Sequence, residues 1–248
     1  MSIIPPGISR ALQFYLSGPL PCPYLPAQVE RKLFTRLNEN AEVSNADINS
    51  ALCRAGFRRS HDVVYRPACS ACNACVPVRI PVHFFAPPRS LRRVAAHNND
   101  LTWESGEPVP SAELFALFSA YQKTRHGDSD MAHMTENDFQ EMLQDGNADT
   151  HLYQLRDSDG ALKGCMIADH VGDGLSAVYS FYAPDESRRS LGTFLILSLI
   201  AEAQKRDWPF VYLGYWVAES RKMAYKARFK PLQILGSNGW VWRDEKGG

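Results

Sequence analysis

The chain has 248 residues, 45% of them hydrophobic, and 27 basic against 27 acidic residues give a formal net charge of zero. That length fits one large domain or two small ones around a sizeable core, and no apolar run approaches the roughly 20 residues that span a bilayer. The start, "MSIIPPGISRALQFYL", has no basic n-region of a secretory signal, so a cytoplasmic, non-membrane protein is expected, in which disulfides are rare. In chain order, "QVERKLFTRL" predicts a short helix with Val29, Leu33 and Leu37 on one face. "VVYRP" and "VPVRIPV" predict strands on either side of the cysteine-rich "CSACNAC", and Pro77 and Pro81 predict edge positions there. "ESGEPVPS" reads as a linker into a helix capped by Ser111, with Leu114, Phe115, Leu117, Phe118 and Tyr121 as its core-facing stripe. A polar loop and a short helix at "DFQEMLQD" follow.

Three strands come next, "HLYQLRD", "ALKGCMIADHV" and "LSAVYSFYA", joined by "SDG" and "GDG" turns into an antiparallel meander. "RRSLGTFLILSLIAEAQKR" predicts a buried helix closed by Pro209. A strand "FVYLGYWV", a short basic helix "SRKMAYKARF" and a last strand "GWVWRD" complete the chain. This order resembles the GNAT acyltransferase fold, an α/β (α+β) class with a mainly antiparallel sheet. The resemblance implies a GNAT-like domain over residues 106–248, preceded by a Cys/Arg-rich region over 1–105. In GNAT enzymes the turn into the long helix cradles a pyrophosphate on its backbone amides. Here that register holds Arg189-Ser-Leu-Gly192-Thr-Phe194, with phenylalanine where the signature has a small residue. A bulky ring would obstruct a diphosphate, so coenzyme A is not expected.

Charge is unevenly spread. From Arg54 to Arg93 there are eight arginines, no lysine and one acid, or +7; from Glu219 to Lys230 there are five bases and one acid, or +4. Two such patches on a neutral chain point either to a phosphate-rich partner or to ion pairs within the fold.

"CPYLP", "GFRRSHDVVYRPACSACNACVPVRIPV", "RSLRR", "HNNDL", "YSFYAPDESRRSLGTFLI" and "YLGYWVAESRKMAYKARFKP" together resemble the arginyl-tRNA–protein transferase family. The short length and the single Cys22 before "PYL" resemble its bacterial aspartate/glutamate leucyltransferase branch. The resemblance implies transfer of leucine from charged tRNA, the co-substrate, to proteins with an N-terminal Asp or Glu, feeding N-degron proteolysis. The donor ester is already activated, and the acceptor α-amine has an ordinary pKa of about 7.7–8.0. Orientation and oxyanion stabilisation then matter more than a strong base. Two other readings stand: an acetyl-coenzyme A-dependent GNAT N-acetyltransferase, and a non-enzymatic, metal-stabilised RNA-binding protein.

On the transferase reading, Arg89, Arg92, Arg93, Lys222, Lys226, Arg228 and Lys230 are candidates for binding the tRNA, and Arg189, at the turn into the long helix, is a candidate for binding substrate. On a helix, Lys222, Lys226 and Lys230 would share one face. Arg58, Arg59 or Arg79 could read the acceptor carboxylate, which a planar guanidinium does best. Tyr179, Tyr182 and Tyr215 flank the expected acyl site, and Asp169, His170 and Glu219 are candidate proton acceptors. His126 matches the family pattern without a role that chemistry supplies. For each of these residues an ion pair or a core aromatic is the plain alternative. Cys69, Cys72 and Cys75, with Cys22, form a candidate thiolate set, because C-x2-C spacing lets neighbours reach one ion. The run resembles cluster-binding loops, and the family resemblance implies an Fe–S cluster or zinc; free thiols in a tight turn are the alternative. Cys53 and Cys165 are expected as buried small hydrophobes.

Overall fold

The computed structural model describes residue 8 and residues 12–37, 43–125, 127, 129–145 and 148–243. The first strands are β1 (Tyr15–Leu16), β2 (Leu20–Pro21), β3 (Val29–Glu30) and β4 (Lys32–Arg36). The helix expected over 28–37 is thus strand. Its spacing of apolar residues suits a helix, but β4 is clamped between two partners, which overrides local preference. Helix α1 (Asn45–Arg54) starts at Ser44, whose hydroxyl accepts from the Asp47 amide, and buries Ile48, Ala51 and Leu52. Strands β5 (Arg58–Ser60) and β6 (Val63–Pro67) complete a four-stranded antiparallel sheet in the order β1-β4-β6-β5.

The larger sheet uses β7 (Val76–Pro81), β8 (Thr102–Gly106), β9 (Thr150–Arg156), β10 (Leu162–Val171), β11 (Gly174–Tyr182), β12 (Phe210–Trp216), β13 (Gln233–Gly236) and β14 (Gly239–Trp242). Its order is β14-β13-β7-β12-β11-β10-β9-β8, and every neighbouring pair is antiparallel except β11 with β12. The expected meander is β9-β10-β11. Strand β7 lies inside this sheet, between β12 and β13, and not at its edge. The prolines allow this because β13 pairs only with Val78 and Arg79; Pro77 and Pro81 fall outside that overlap.

Four further helices cover the two faces: α2 (Arg89–His97), α3 (Ala112–Arg125), α4 (Glu136–Gln144) and α5 (Leu191–Lys205). Alternation along the strands feeds two cores. Met166 and Ala168 of β10 pack with Leu91 of α2 and Leu195 and Leu199 of α5. Cys165 and Ile167 pack with Leu114 and Phe118 of α3 and Phe139 of α4. Ser111 caps α3 as expected, accepting from the Leu114 amide at 3.2 Å. Cys53 and Cys165 are buried, as expected. The basic segment after β12 is not the expected α-helix but turns and a 3₁₀ stretch over Ala224–Arg228. Among the described residues no helix is long and apolar enough to cross a membrane.

Candidate active site

Strands β11 and β12 are the one parallel pair, and they stay paired only from Gly174–Ser176 against Phe210–Tyr212. Beyond that they diverge into a V. Each strand carries an irregularity at that point. Ile167 faces Tyr179 and Ala168 faces Ala177, leaving Val178 extra in β11. Tyr212 faces Arg79 and Gly214 faces Val78, leaving Leu213 extra in β12. Bulges bend a strand and raise its twist, which opens the sheet here.

Arg58, from β5, spans the opening. Its Nη2 donates to the Val178 carbonyl at 2.8 Å. On the other side it lies against Gly214, whose φ is +69° and where a Cβ would stand 2.6 Å from Arg58 Nη1. Gly214 is needed twice, for its backbone angle and for the guanidinium. Behind it, Lys226 is only 3% exposed, and its Nζ donates to the Tyr215 carbonyl at 2.5 Å. Burial and then the Arg58 charge hold the Lys226 amine well below the usual lysine range. Of the three lysines expected on one outer face, Lys222 and Lys230 are exposed and Lys226 is not, because the 3₁₀ turn carries it inward.

At the mouth of the V, Tyr182 covers the first turn of α5. A Cβ on Gly192 would lie 2.8 Å from Tyr182 Cε1. Phe194, expected to be the obstruction, packs instead against the sheet core. Arg189 at the same turn is held by acids: Asp100 at 2.9 and 2.8 Å and Glu186 at 2.7 Å. All three of its nitrogens are engaged, so its expected contact with substrate gives way to an ion-pair role. Tyr182 packs on Tyr121 with ring centroids 4.8 Å apart. Gln122, fully buried, donates to the Tyr179 hydroxyl at 2.8 Å, and burial raises the Tyr179 pKa. Tyr215 lies on the opposite wall, but its hydroxyl faces the Gly56 and Tyr65 carbonyls at 2.9 and 3.0 Å, away from the opening. Glu219 is exposed in the loop after β12.

Three other sequence candidates serve the fold. Arg79 lies among rings, 3.5 Å from the centroid of Phe210 and 4.5 Å from that of Trp240, and donates to Gln233 and Tyr212. Arg59 and Asp169 form a buried ion pair at 2.6 Å. Asn49 and Thr150 also donate to that carboxylate, which leaves it no role as an accessible base. His170 bonds Tyr153 at 2.8 Å and stacks on His151 with centroids 3.7 Å apart. Together with Asp149, these two histidines bring three ligand atoms within 4.8 Å of one another, the one such group among the described residues. The rings are nearly parallel, 10° apart, so their in-plane lone pairs run side by side and do not converge on one ion. His126 lies outside the described residues.

Burial, then His151, push the His170 pKa down from 6.5 to about 4. Between those values the unfolded chain binds more protons at this position than the folded one. Its contribution is complete above about pH 6.5 and is lost as pH falls toward about 4. His170→Asn is expected to flatten the stability–pH curve across that window, as measured by urea unfolding at successive pH values.

A cavity of about 310 Å³ adjoins the V, and its lining includes Cys22, Cys69, Cys72 and Cys75 together with Tyr24, Tyr65 and Tyr215. Burial and then its three cysteine neighbours push the Cys75 thiol up to about 11. The four sequence-predicted cysteines therefore share one cavity, although no three of their sulfurs lie within 4.8 Å of one another. On the surface, Leu91 anchors α2 and leaves Arg89, Arg92 and Arg93 exposed, none of them in an ion pair with a described residue. Lys222 and Arg228 are exposed after β12.

Residues 20–93 match the family described as arginine-tRNA-protein transferase, N terminus, and residues 113–236 match its C terminus. The chain belongs to the arginine-tRNA-protein transferase family. It is 49% identical over 234 residues to the aspartate/glutamate leucyltransferase of Paramagnetospirillum magneticum (strain ATCC 700264 / AMB-1), covering 94% of both chains. It is 45% identical to the protein of the same name from Maricaulis maris (strain MCS10), covering 95% of this chain and 91% of that one. Its fold is similar to the structure of L-PGS from Bacillus licheniformis, with a TM-score of 0.51 at 10% identity, over 71% of this chain and 61% of that one. The transferase has the GNAT-like acyltransferase architecture expected from its element order, with the parting of β11 and β12 as its central feature. The inward turn of Lys226 and the Arg58 strut were missed in the sequence. A glycine between aromatics in "YLGYW" was the available signal, since glycine inside a strand marks a bulge or a close approach.

Proposed function

We propose that this transferase moves leucine from leucyl-tRNA to the α-amine of proteins that begin with Asp or Glu, marking them for N-degron proteolysis. The observation that carries this is 49% identity, over 94% of both chains, to a relative named aspartate/glutamate leucyltransferase. The V between β11 and β12 suits the chemistry. The neutral α-amine attacks the ester carbonyl, a C–N bond forms, the C–O bond to the tRNA ribose breaks, and the amine proton ends on the departing hydroxyl or on solvent. Unpaired backbone along the diverging part of β11 is placed to face the developing oxyanion. Tyr179 and Tyr182 line that wall and position the aminoacyl end. The acceptor stem lies across Arg89, Arg92 and Arg93, and the exposed Lys222, Arg228 and Lys230 are its second set of phosphate contacts.

Cys22, Cys69, Cys72 and Cys75 would hold a metal group in their shared cavity. Soft thiolates suit zinc or an Fe–S cluster. Such a group would tie the N-terminal segment to the loop after β6. The chemistry of transfer is assigned to the V and not to the cysteines.

Incubation with radiolabelled leucyl-tRNA or arginyl-tRNA, and peptides beginning with Asp, Glu or Ala, tests the reading. Leucine should label the Asp and Glu peptides and leave the Ala peptide nearly unlabelled. Equal labelling of Ala defeats the acceptor assignment, and preference for arginyl-tRNA defeats the donor. Charge reversal of Arg89, Arg92 and Arg93 together should lower the salt slope of tRNA binding by about two to three, since each phosphate contact contributes about 0.7–0.9. An unchanged slope would place those arginines off the tRNA.

A further inference from the structure

Two basic side chains meet in the V without a carboxylate. Arg58 is half-buried and Lys226 is 3% exposed. Neither forms an ion pair with a described acid. Glu30, on the wall of the adjoining cavity, is engaged by Lys32 at 3.1 Å. Arg58 lies between the Val178 carbonyl of β11 and Gly214 of β12, which places it across the opening. A desolvated amine beside a guanidinium gives up its proton readily, and an anion that joins the two favours the charged form again. A strut to the Val178 carbonyl needs one N–H and no charge. A guanidinium that spends one N–H there keeps the rest of its fork for a carboxylate.

We infer that Arg58, backed by Lys226, is the specificity determinant that reads the side-chain carboxylate of the acceptor's first residue. Arg58 makes the contact, and Lys226, whose amine donates to the Tyr215 carbonyl, regains its proton when the carboxylate arrives. This fits the geometry of transfer, because the V that holds Arg58 is also where the acceptor amine must meet the ester. Asn and Gln have the same shape as Asp and Glu but bring no charge, so they would leave Arg58 uncompensated. The inference rests on the proposed transfer to acidic N-termini and assigns the discrimination to two residues. It moves Lys226 from the tRNA surface to the acceptor site.

The test compares peptides beginning with Asp and with Asn. Their kcat/KM ratio is measured for the wild type, Arg58→Gln, Arg58→Lys and Lys226→Met, and peptide binding without tRNA is followed by calorimetry. The Asp-to-Asn ratio should collapse by at least about 30-fold in Arg58→Gln and fall in Lys226→Met, with Arg58→Lys intermediate because it keeps charge without the fork. Lys226→Met should shift the thermal midpoint little, since it removes a desolvated amine and, against that, the hydrogen bond to the Tyr215 carbonyl. A ratio unchanged in both neutral variants, whatever their absolute rates, overturns the inference while leaving leucine transfer intact. A wild type that labels neither peptide overturns the underlying reading instead.

Discussion

Asp169→Ala is expected to lower folding stability by about 3–5 kcal/mol, because it leaves a buried guanidinium with no counter-charge. Asp169 is fully buried, and Arg59 donates to it from Nε at 2.7 Å and Nη2 at 2.6 Å. Asn49 and Thr150 complete its shell at 2.9 and 2.8 Å. The pair therefore joins α1 and β5 to β9 and β10. Arg59→Met combined with Asp169→Leu should cost less than Asp169→Ala alone, since no charge is left behind. Urea unfolding of Asp169→Ala and of the double variant measures this, and a double variant that costs as much as Asp169→Ala or more would refute it. Any Asp169 variant that remains folded should still transfer leucine, because its carboxylate lies outside the V.

Gly214→Ala separates stability from activity in the other direction. An alanine at φ +69° costs about 1–2 kcal/mol of backbone strain. Its methyl also takes the space of the Arg58 guanidinium. That group is the far end of a flexible side chain, so it can swing out at little further cost to folding. Transfer to an Asp peptide should then fall by about 100-fold, the scale of loss for a displaced positioning group. The thermal midpoint should drop only modestly. Full activity in Gly214→Ala would mean that Arg58 need not occupy the V.

Local signals made much of the fold legible. Strand segments separated by "SDG" and "GDG" specify β9, β10 and β11, because tight turns need no distant partner. Ser111 before an apolar stripe specifies α3 for the same reason. "KLFTR" failed because its apolar spacing fits a helix, while its fate was set by β1 and β6. The cysteine spacing was readable, and the place of Cys22 beside it came only through the resemblance. The candidate site was less legible than the fold. Tyr179 and Tyr182 could be placed on a strand end, but nothing local shows a hydroxyl facing in or out, and Tyr215 faces away.

By itself, the amino-acid sequence determined the family, the element order of the C-terminal half, the clustering of cysteines and the two basic stretches. These are properties of neighbours in the chain. Tertiary structure alone decided which basic residues are free. Arg59 meets Asp169 across 110 positions and Arg189 meets Asp100 across 89. Whether a cation is paired therefore depends on residues that only folding brings within hydrogen-bond reach. Folding likewise inserted β7 between β12 and β13, parted β11 from β12, and turned Lys226 inward toward Arg58. The physical reason is common to all three. Periodicity records how a segment meets water and core, whereas charge compensation and strand partnership are set by contacts between segments far apart in the chain.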